Sequence, residues 1–193
     1  MFKNSLSKKI ILGSQSARRQ ELLRGLDIDF EVKTIEGLTE TYPDNLEINK
    51  IPEYLAKQKA DAFMEFLDEE TLLITADTIV VLNGKVYGKP KDKNEAKAML
   101  QVLSGKTHEV ITGVCLTTKG QQKIFSENTK VTFSNFSENE IDYYVEKYLP
   151  MDKAGSYGIQ EWIGYIGVEK IEGSFYNVMG LPVQQIYQAL KEF

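Results

Sequence analysis

A chain of 193 residues, 42% hydrophobic and 26% charged, has the composition of a globular protein with one substantial core. Its net charge of −5, from 23 basic and 28 acidic residues, argues against a general nucleic-acid binder, which needs a basic surface to displace counterions. The single cysteine, Cys115, and single histidine, His108, exclude an intramolecular disulfide, a cysteine-cluster zinc site and His-rich metal centres. The N-terminal MFKNSLSKKIILGS has only a short apolar core around Ile10, Ile11 and Leu12, and a membrane span needs about 20 apolar residues. Neither a signal peptide nor a span is predicted, and a reducing, cytoplasmic home fits the lone thiol.

Apolar runs alternate with helical patterns along the chain, which predicts an α/β fold. A strand over 9–13 runs into a helix over 16–26, and an extended segment over 29–33 follows. A loop leads to Pro52, which suits the first turn of a long helix ending near residue 68. LLITADTIVVL, residues 72–82, is the most apolar stretch and reads as a central strand. Asn83-Gly84 then forms a tight hairpin turn into a short strand over 85–87. Asp92 and Glu95 open a helix that Gly105 closes. Two long paired strands are expected over 108–118 and 122–134. Ser137 and Glu140 open a further helix, which Pro150 stops. Glycine-rich chain over 155–167, a strand pair and a closing helix from about Pro182 complete the pattern. No linker, repeat or low-complexity stretch divides it, so one compact domain, with room for two lobes, is expected.

Two segments stand out chemically. The first is G-S-Q-S-A-R-R, residues 13–19, at a strand-to-helix junction. The first turn of a helix leaves backbone N–H groups unpaired at a positive dipole end, and Ser14, Ser16, Arg18 and Arg19 add donors for phosphate oxygens. The same residues also read as a serine cap followed by two solvated arginines. The second is Asp77-Thr78 inside the apolar strand. An unpaired carboxylate there is costly, so it calls for a metal, a cation or a water. Asp77 is therefore a candidate to hold a divalent cation and to orient or deprotonate an attacking water. A strand-end aspartate bonded to backbone is the plainer reading.

Lys59 sits in a helical run and Lys89 in the turn Gly88-Lys89-Pro90, which lacks the spacing and the Ser/Thr of a P-loop. Glu40 and Asp92 are further carboxylates, each readable as metal ligand or surface charge. In DKAGSYGIQE, residues 152–161, the Gln160 amide offers a donor and an acceptor to a pyrimidine edge, with a structural loop as the competing view. His108 has no G-x-S-x-G partner, so a serine-hydrolase triad is excluded, and it is read as strand structure or surface.

Taken in order, these segments resemble the Maf family nearly end to end. The match runs through IILGSQSARRQELL, GLTETYP, YLAKQKA, ADTIVVLNGKVYGKPKD, AMLQVLSGKTHEVITGV, DKAGSYGIQ and GLP. The resemblance implies a mixed twisted sheet with flanking helices and two lobes around a deep cleft, similar to the inosine-triphosphate pyrophosphatases. It implies hydrolysis of a nucleoside triphosphate between the α- and β-phosphates, assisted by magnesium, manganese or cobalt. By position, Asp77 matches the family's proton acceptor, and Arg18, Thr78 and Gln160 match positions linked to substrate choice. Ser14, Arg18, Arg19, Lys59 and Lys89 fall on phosphate positions, and Glu40 joins Asp77 at the metal.

The related branch acting on 7-methyl-GTP carries a tryptophan before the paired arginines, a Ser-Asp-Gln strand motif and a different late loop. Ala17, Ala76-Asp77-Thr78 and Gly158-Ile159-Gln160 instead favour the dTTP/UTP branch, including modified pyrimidines. Ala17 departs from a usual proline, and Thr39 from an aspartate that often precedes Glu40. Dimerisation is implied by resemblance only. A nucleotide-binding regulator of cell division without essential hydrolysis is the alternative from another class.

Overall fold

The protein is described by a computed structural model covering residues 8–193; residues 1–7, part of the stretch read above for a targeting signal, lie outside the described residues. Among the described residues seven strands form one mixed sheet in the order β2-β1-β3-β5-β6-β7, with β4 hydrogen-bonded to β3. They are β1 Lys9–Leu12, β2 Phe30–Val32, β3 Thr71–Leu82, β4 Lys85–Tyr87, β5 Thr107–Thr117, β6 Gln122–Phe133 and β7 Val168–Glu172. The helices are α1 Ala17–Arg24, α2 Ile51–Ala62, α3 Lys93–Leu103, α4 Glu138–Tyr148, α5 Trp162–Gly167, α6 Phe175–Met179 and α7 Val183–Leu190. The expected α/β class, with a sheet flanked by helices, is therefore observed. No helix among the described residues is long and apolar enough to cross a membrane.

Local chemistry accounts for most boundaries. Asn83 and Gly84 both take positive φ, 51° and 72°, as the β3–β4 hairpin requires. Asp92 caps α3 by accepting from the Glu95 N–H at 2.8 Å. Ser137 and Glu140 form a reciprocal capping box at α4, and Pro150 follows its left-handed end at Leu149. Two expectations need correction. The helix starting near Pro52 ends at Ala62 rather than near residue 68, and a 3-10 turn, Met64–Phe66, takes the chain on to β3. The strand pair expected after residue 167 is a single strand, β7, which pairs with β6; α6 occupies the place of the second. The glycine-rich chain before it holds α5, because Gly164 and Gly167 let the helix press against Ile159 and Phe136.

The chain divides into two compact units. The first comprises the described part of Met1–Asp77 with Thr112–Glu127 and Gly180–Phe193; the second comprises Thr78–Ile111 and Asn128–Met179. In the first, β1 pairs in parallel with both β2 and β3. Helix α2 covers the face of this sheet that carries Ile11, Leu73 and Cys115, and packs Ala56, Ala60 and Phe63 against them. Cys115 is the small buried hydrophobe expected, and burial pushes its thiol up to about 11. Alanines at 56 and 60 bring the helix close. At its N-terminal end a Cβ on Gly113 would overlap the backbone of Pro52 and Glu53. Any side chain at 113 must therefore lift α2 off the sheet.

In the second unit His108 is buried among Phe133 and Tyr157, with Nε2 2.7 Å from the Tyr157 hydroxyl. Burial pushes its pKa down to about 4. It belongs to the core, the strand role expected of it.

Two stability measurements follow from these contacts. Gly113→Ala should lower unfolding free energy by about 1–3 kcal/mol, the range for overpacking a dense contact; a urea midpoint equal to the parent's would mean the α2–β5 contact is slack. An unfolded histidine titrates near 6.5, so between pH 6.5 and 4 only the unfolded chain gains the proton at His108. Its contribution is intact above 6.5 and lost as pH falls, by about 2 kcal/mol at pH 5. His108→Gln should flatten the stability difference between pH 7 and pH 5 by that amount in paired urea titrations.

Candidate active site

An aspartate in an apolar strand must find a partner, and Asp77 finds it on the overlying helix. Lys59 Nζ lies 2.7 Å from Asp77 Oδ1, with both side chains largely buried, at 13% and 15% exposure. The geometry follows from two periodicities. Thr75 and Asp77 are two apart on β3 and share one face, while Ala56 and Lys59 are three apart on α2 and share one side. The Thr75 hydroxyl donates to the Ala56 carbonyl at 2.7 Å, which places Lys59 over Asp77. The same ammonium reaches Glu40 Oε2 at 2.9 Å. Glu40 stands in the loop before α2, half-exposed, and that loop is held by Gln58. The Gln58 amide accepts from the Thr41 N–H at 3.3 Å and donates to the Thr41 carbonyl at 3.2 Å. Two carboxylates thus share one lysine.

Arg19 approaches the same strand from α1. Its Nη1 donates to the Ala76 carbonyl at 2.9 Å and lies 3.5 Å from the Ser14 hydroxyl, while Nε donates to the Gly180 carbonyl at 2.8 Å. Lys59 Nζ makes a longer contact, 3.4 Å, to that same Ala76 carbonyl. Two cations from different helices therefore meet at the peptide joining Ala76 to Asp77. Burial lowers the Arg19 pKa from its ordinary value, while the charges of Asp77 and Glu40 raise it. Ser16 caps α1, and its hydroxyl accepts from the Arg19 N–H at 3.5 Å. Arg18 is the next residue back on this first turn and is half-buried. Ser14, Arg19, Lys59, Asp77 and Glu40 are brought together.

The remaining candidates lie in the second unit. Thr78 follows Asp77 on β3 and points to the opposite face, as alternation demands. Lys89 is exposed after β4, in the turn where the Gly88 carbonyl accepts from the Gly155 N–H at 3.1 Å. The Asp92 side chain caps α3. Gln160 lies on the loop before α5, and its Oε1 is buried with no hydrogen-bond partner among the described residues. A buried acceptor left open in this way is costly unless a ligand or a water supplies a donor.

The sequence profile of the Maf-like protein family matches residues 9–193. The chain belongs to that family. It is 59% identical over 192 residues to a dTTP/UTP pyrophosphatase of Phocaeicola vulgatus, with both chains covered completely. It is 55% identical over 193 residues to one of Parabacteroides distasonis, again over 100% of each. It is also 54% identical over 195 residues to one of Porphyromonas gingivalis, covering 100% of this chain and 98% of that protein. A solved HAM1 protein from Coxiella burnetii matches with a TM-score of 0.44 and 19% identity, over 96% of this chain and 100% of that one.

The donor set of this Maf-like protein fits a divalent cation of the magnesium type. Such ions take one or two protein carboxylates and leave the remaining positions to water and phosphate oxygens. Asp77 and Glu40 supply two carboxylates drawn together on one ammonium. Among the described residues no third His, Cys, Asp or Glu joins them, so an all-protein cage is absent there. Sequence reasoning missed Gln58, Thr75 and the Gly180 carbonyl. Nothing in their local pattern marks them, because each acts on a residue 17 or more positions away.

Arg19→Lys would test how much of the cluster depends on a planar fork. Lysine carries the charge but cannot span the Ala76 and Gly180 carbonyls together. We expect a loss of about 1–3 kcal/mol in urea unfolding, the scale of a charge-assisted hydrogen bond, with weaker nucleotide binding by calorimetry. Unchanged values in both would assign Arg19 to a solvated surface.

Proposed function

We propose that this Maf-like protein is a nucleoside-triphosphate pyrophosphatase that hydrolyses dTTP and UTP to the monophosphate and pyrophosphate, cleansing the cytoplasmic nucleotide pool. The observation that carries this conclusion is the meeting of Arg19 and Lys59 at the peptide that bears Asp77. It combines cations for an anionic substrate with a fixed carboxylate for a water molecule. The full-length relatives named dTTP/UTP pyrophosphatase at 54% to 59% identity support the same conclusion. The buried, singly occurring Cys115 suits a reducing compartment.

In this mechanism Asp77 orients a water and accepts its proton as the oxygen attacks the α-phosphorus. The bond from the α-phosphorus to the bridging oxygen breaks, and pyrophosphate departs with the electron pair. Negative charge grows on the departing group, and preorganised cations stabilise it more than they stabilise the substrate. Arg19 and Lys59 supply those cations, with Ser14, Arg18 and Lys89 as further phosphate donors. Lys59 is held by two carboxylates, so it is aimed in advance of substrate binding. Asp77 and Glu40 would hold the divalent cation, magnesium, manganese or cobalt, which supplies additional charge neutralisation at phosphate oxygens when bound.

Arg18, Thr78 and Gln160 select the nucleotide. The open acceptor Gln160 Oε1 asks for an N–H donor. The ring imide of uracil or thymine has one, whereas cytosine presents a bare nitrogen at that position. Uracil and thymine share this edge, which accounts for a pair of substrates rather than one.

Two assays decide the matter. A panel of nucleoside triphosphates, scored for released pyrophosphate with and without added divalent cation, should favour dTTP and UTP. A flat panel would remove the pyrimidine assignment, and tight binding with no pyrophosphate would leave a binding protein only. Asp77→Asn should cut turnover by about 10²–10⁴-fold, the usual weight of a general base. Its nucleotide affinity should stay near the parent's, and parental turnover in this variant would take Asp77 out of the chemistry.

A further inference from the structure

We infer that Tyr144, with Glu161 and Lys153 behind it, is a positioning device that presents the Gln160 amide and so sets the discrimination between uracil-type and cytosine-type nucleotides. The inference rests on the base-reading role proposed above for Gln160 and adds to it the residues that make that role specific.

Gln160 is displayed on a hydrogen-bonded turn. The Glu161 N–H donates to the Gly158 carbonyl at 2.9 Å, so residues 158–161 form a reverse turn with Gln160 at its third position. Ile159, the second position, is buried and anchors the turn from below. One hydroxyl then staples both corners. Tyr144 Oη accepts from the Gly158 N–H at 3.0 Å and donates to Glu161 Oε2 in a short hydrogen bond. Tyr144 sits on α4, is fully buried, and stacks on Tyr148 with ring centroids 5.0 Å apart. The hydroxyl is therefore delivered from a buried, packed part of the second unit.

The far side of Glu161 is held as firmly. Its Oε1 lies 3.2 Å from Lys153 Nζ, which also pairs with Asp152 at 2.7 Å. Lys153 is 7% exposed, an unusual state for a lysine unless it is paired. A Cβ at Gly158 would lie 2.8 Å from the Glu161 carboxyl carbon, so a larger residue there displaces that carboxylate. The carboxylate thus sits directly under the turn it holds. Such a buried polar network is costly to build and is stabilising only when every member is satisfied. Among the described residues Gln160 Oε1, on the turn itself, is a buried acceptor with no hydrogen-bond partner. The turn is tied down on both sides of the amide, while the amide oxygen carries no protein partner among the described residues.

A donor-reading acceptor discriminates only if it cannot turn away from the wrong base. Loosening the staple should therefore harm selectivity more than rate. The test compares kcat/KM for UTP and CTP in the parent, Tyr144→Phe, Glu161→Ala, Gln160→Ala and the Tyr144→Phe/Gln160→Ala pair, with thermal melts on the same preparations. We expect Tyr144→Phe and Glu161→Ala each to lower the UTP-to-CTP ratio about five-fold, the size of one hydrogen bond. The loss should fall on KM for UTP, with kcat within about three-fold of the parent. On a Gln160→Ala background Tyr144→Phe should change the ratio no further, since coupled residues are not additive.

If Gln160→Ala collapses the ratio while Tyr144→Phe and Glu161→Ala leave it within two-fold of the parent, the staple is overturned and the Gln160 role stands. If Gln160→Ala leaves the ratio intact, the base-reading role itself fails and the staple goes with it. A uniform drop in kcat for both nucleotides, without a change in their ratio, would also overturn the staple and reduce Tyr144 to a structural residue. Should Tyr144→Phe not fold, Glu161→Ala alone and paired with Gln160→Ala provides the same comparison.

Discussion

The ion pair between Lys59 and Asp77 governs how the first unit is built. A carboxylate within TADTIVV would be expelled from the sheet if nothing met it, since burying an unpaired charge costs several kcal/mol or more. The ammonium can meet it only if α2 lies close and in one register. That closeness depends on Ala56 and Ala60 beneath the helix and on Gly113 beneath its first turn. The register is held by the Thr75 hydroxyl on the Ala56 carbonyl. Packing residues with no chemistry of their own therefore decide where the charged atoms stand.

The same interaction explains why the charges do not collapse on one another. Two carboxylates and two cations meet around one peptide, and both cations have additional partners that keep them in place. Arg19 is tied to Gly180 as well as to Ala76, and Glu40 is carried by a loop that the Gln58 amide clamps. Held this way, the cations keep fixed positions, which under the proposed function is the condition for electrostatics to lower a barrier most. In the second unit the same design recurs with neutral atoms. A hydroxyl, a backbone N–H and a carboxylate tie down one short turn, and an amide oxygen is left open on it.

Much of this was legible beforehand where the signal is local. The hairpin at Asn83-Gly84, the caps at Asp92 and Ser137, and the apolar strand containing Asp77 are all written in short windows of sequence. The misread elements were those where local preference lost to packing. The helix from Pro52 ends early because Phe63 and Leu67 turn into the core of the first unit, leaving a 3-10 turn between them. The glycine-rich stretch after Gly155 reads as irregular chain, yet Gly164 and Gly167 serve close contact and permit α5. Glycine lowers helix propensity by itself and raises helix packing when a neighbour needs the space.

The amino-acid sequence alone determined the α/β class, the order of strands and helices as far as α4, the family, and the suspicion attached to Asp77, Arg19, Lys59 and Gln160. Those properties follow from period, composition and motif, which are carried by residues near one another in the chain. Only the tertiary structure decided that Lys59 pairs with both Asp77 and Glu40, that Arg19 reaches Ala76, and that Tyr144 grips the turn bearing Gln160. Each of these joins residues 14 or more positions apart. No local preference specifies such a pairing; it exists because burial forces every charge and polar group to find a partner, and the packed fold determines which one is within reach.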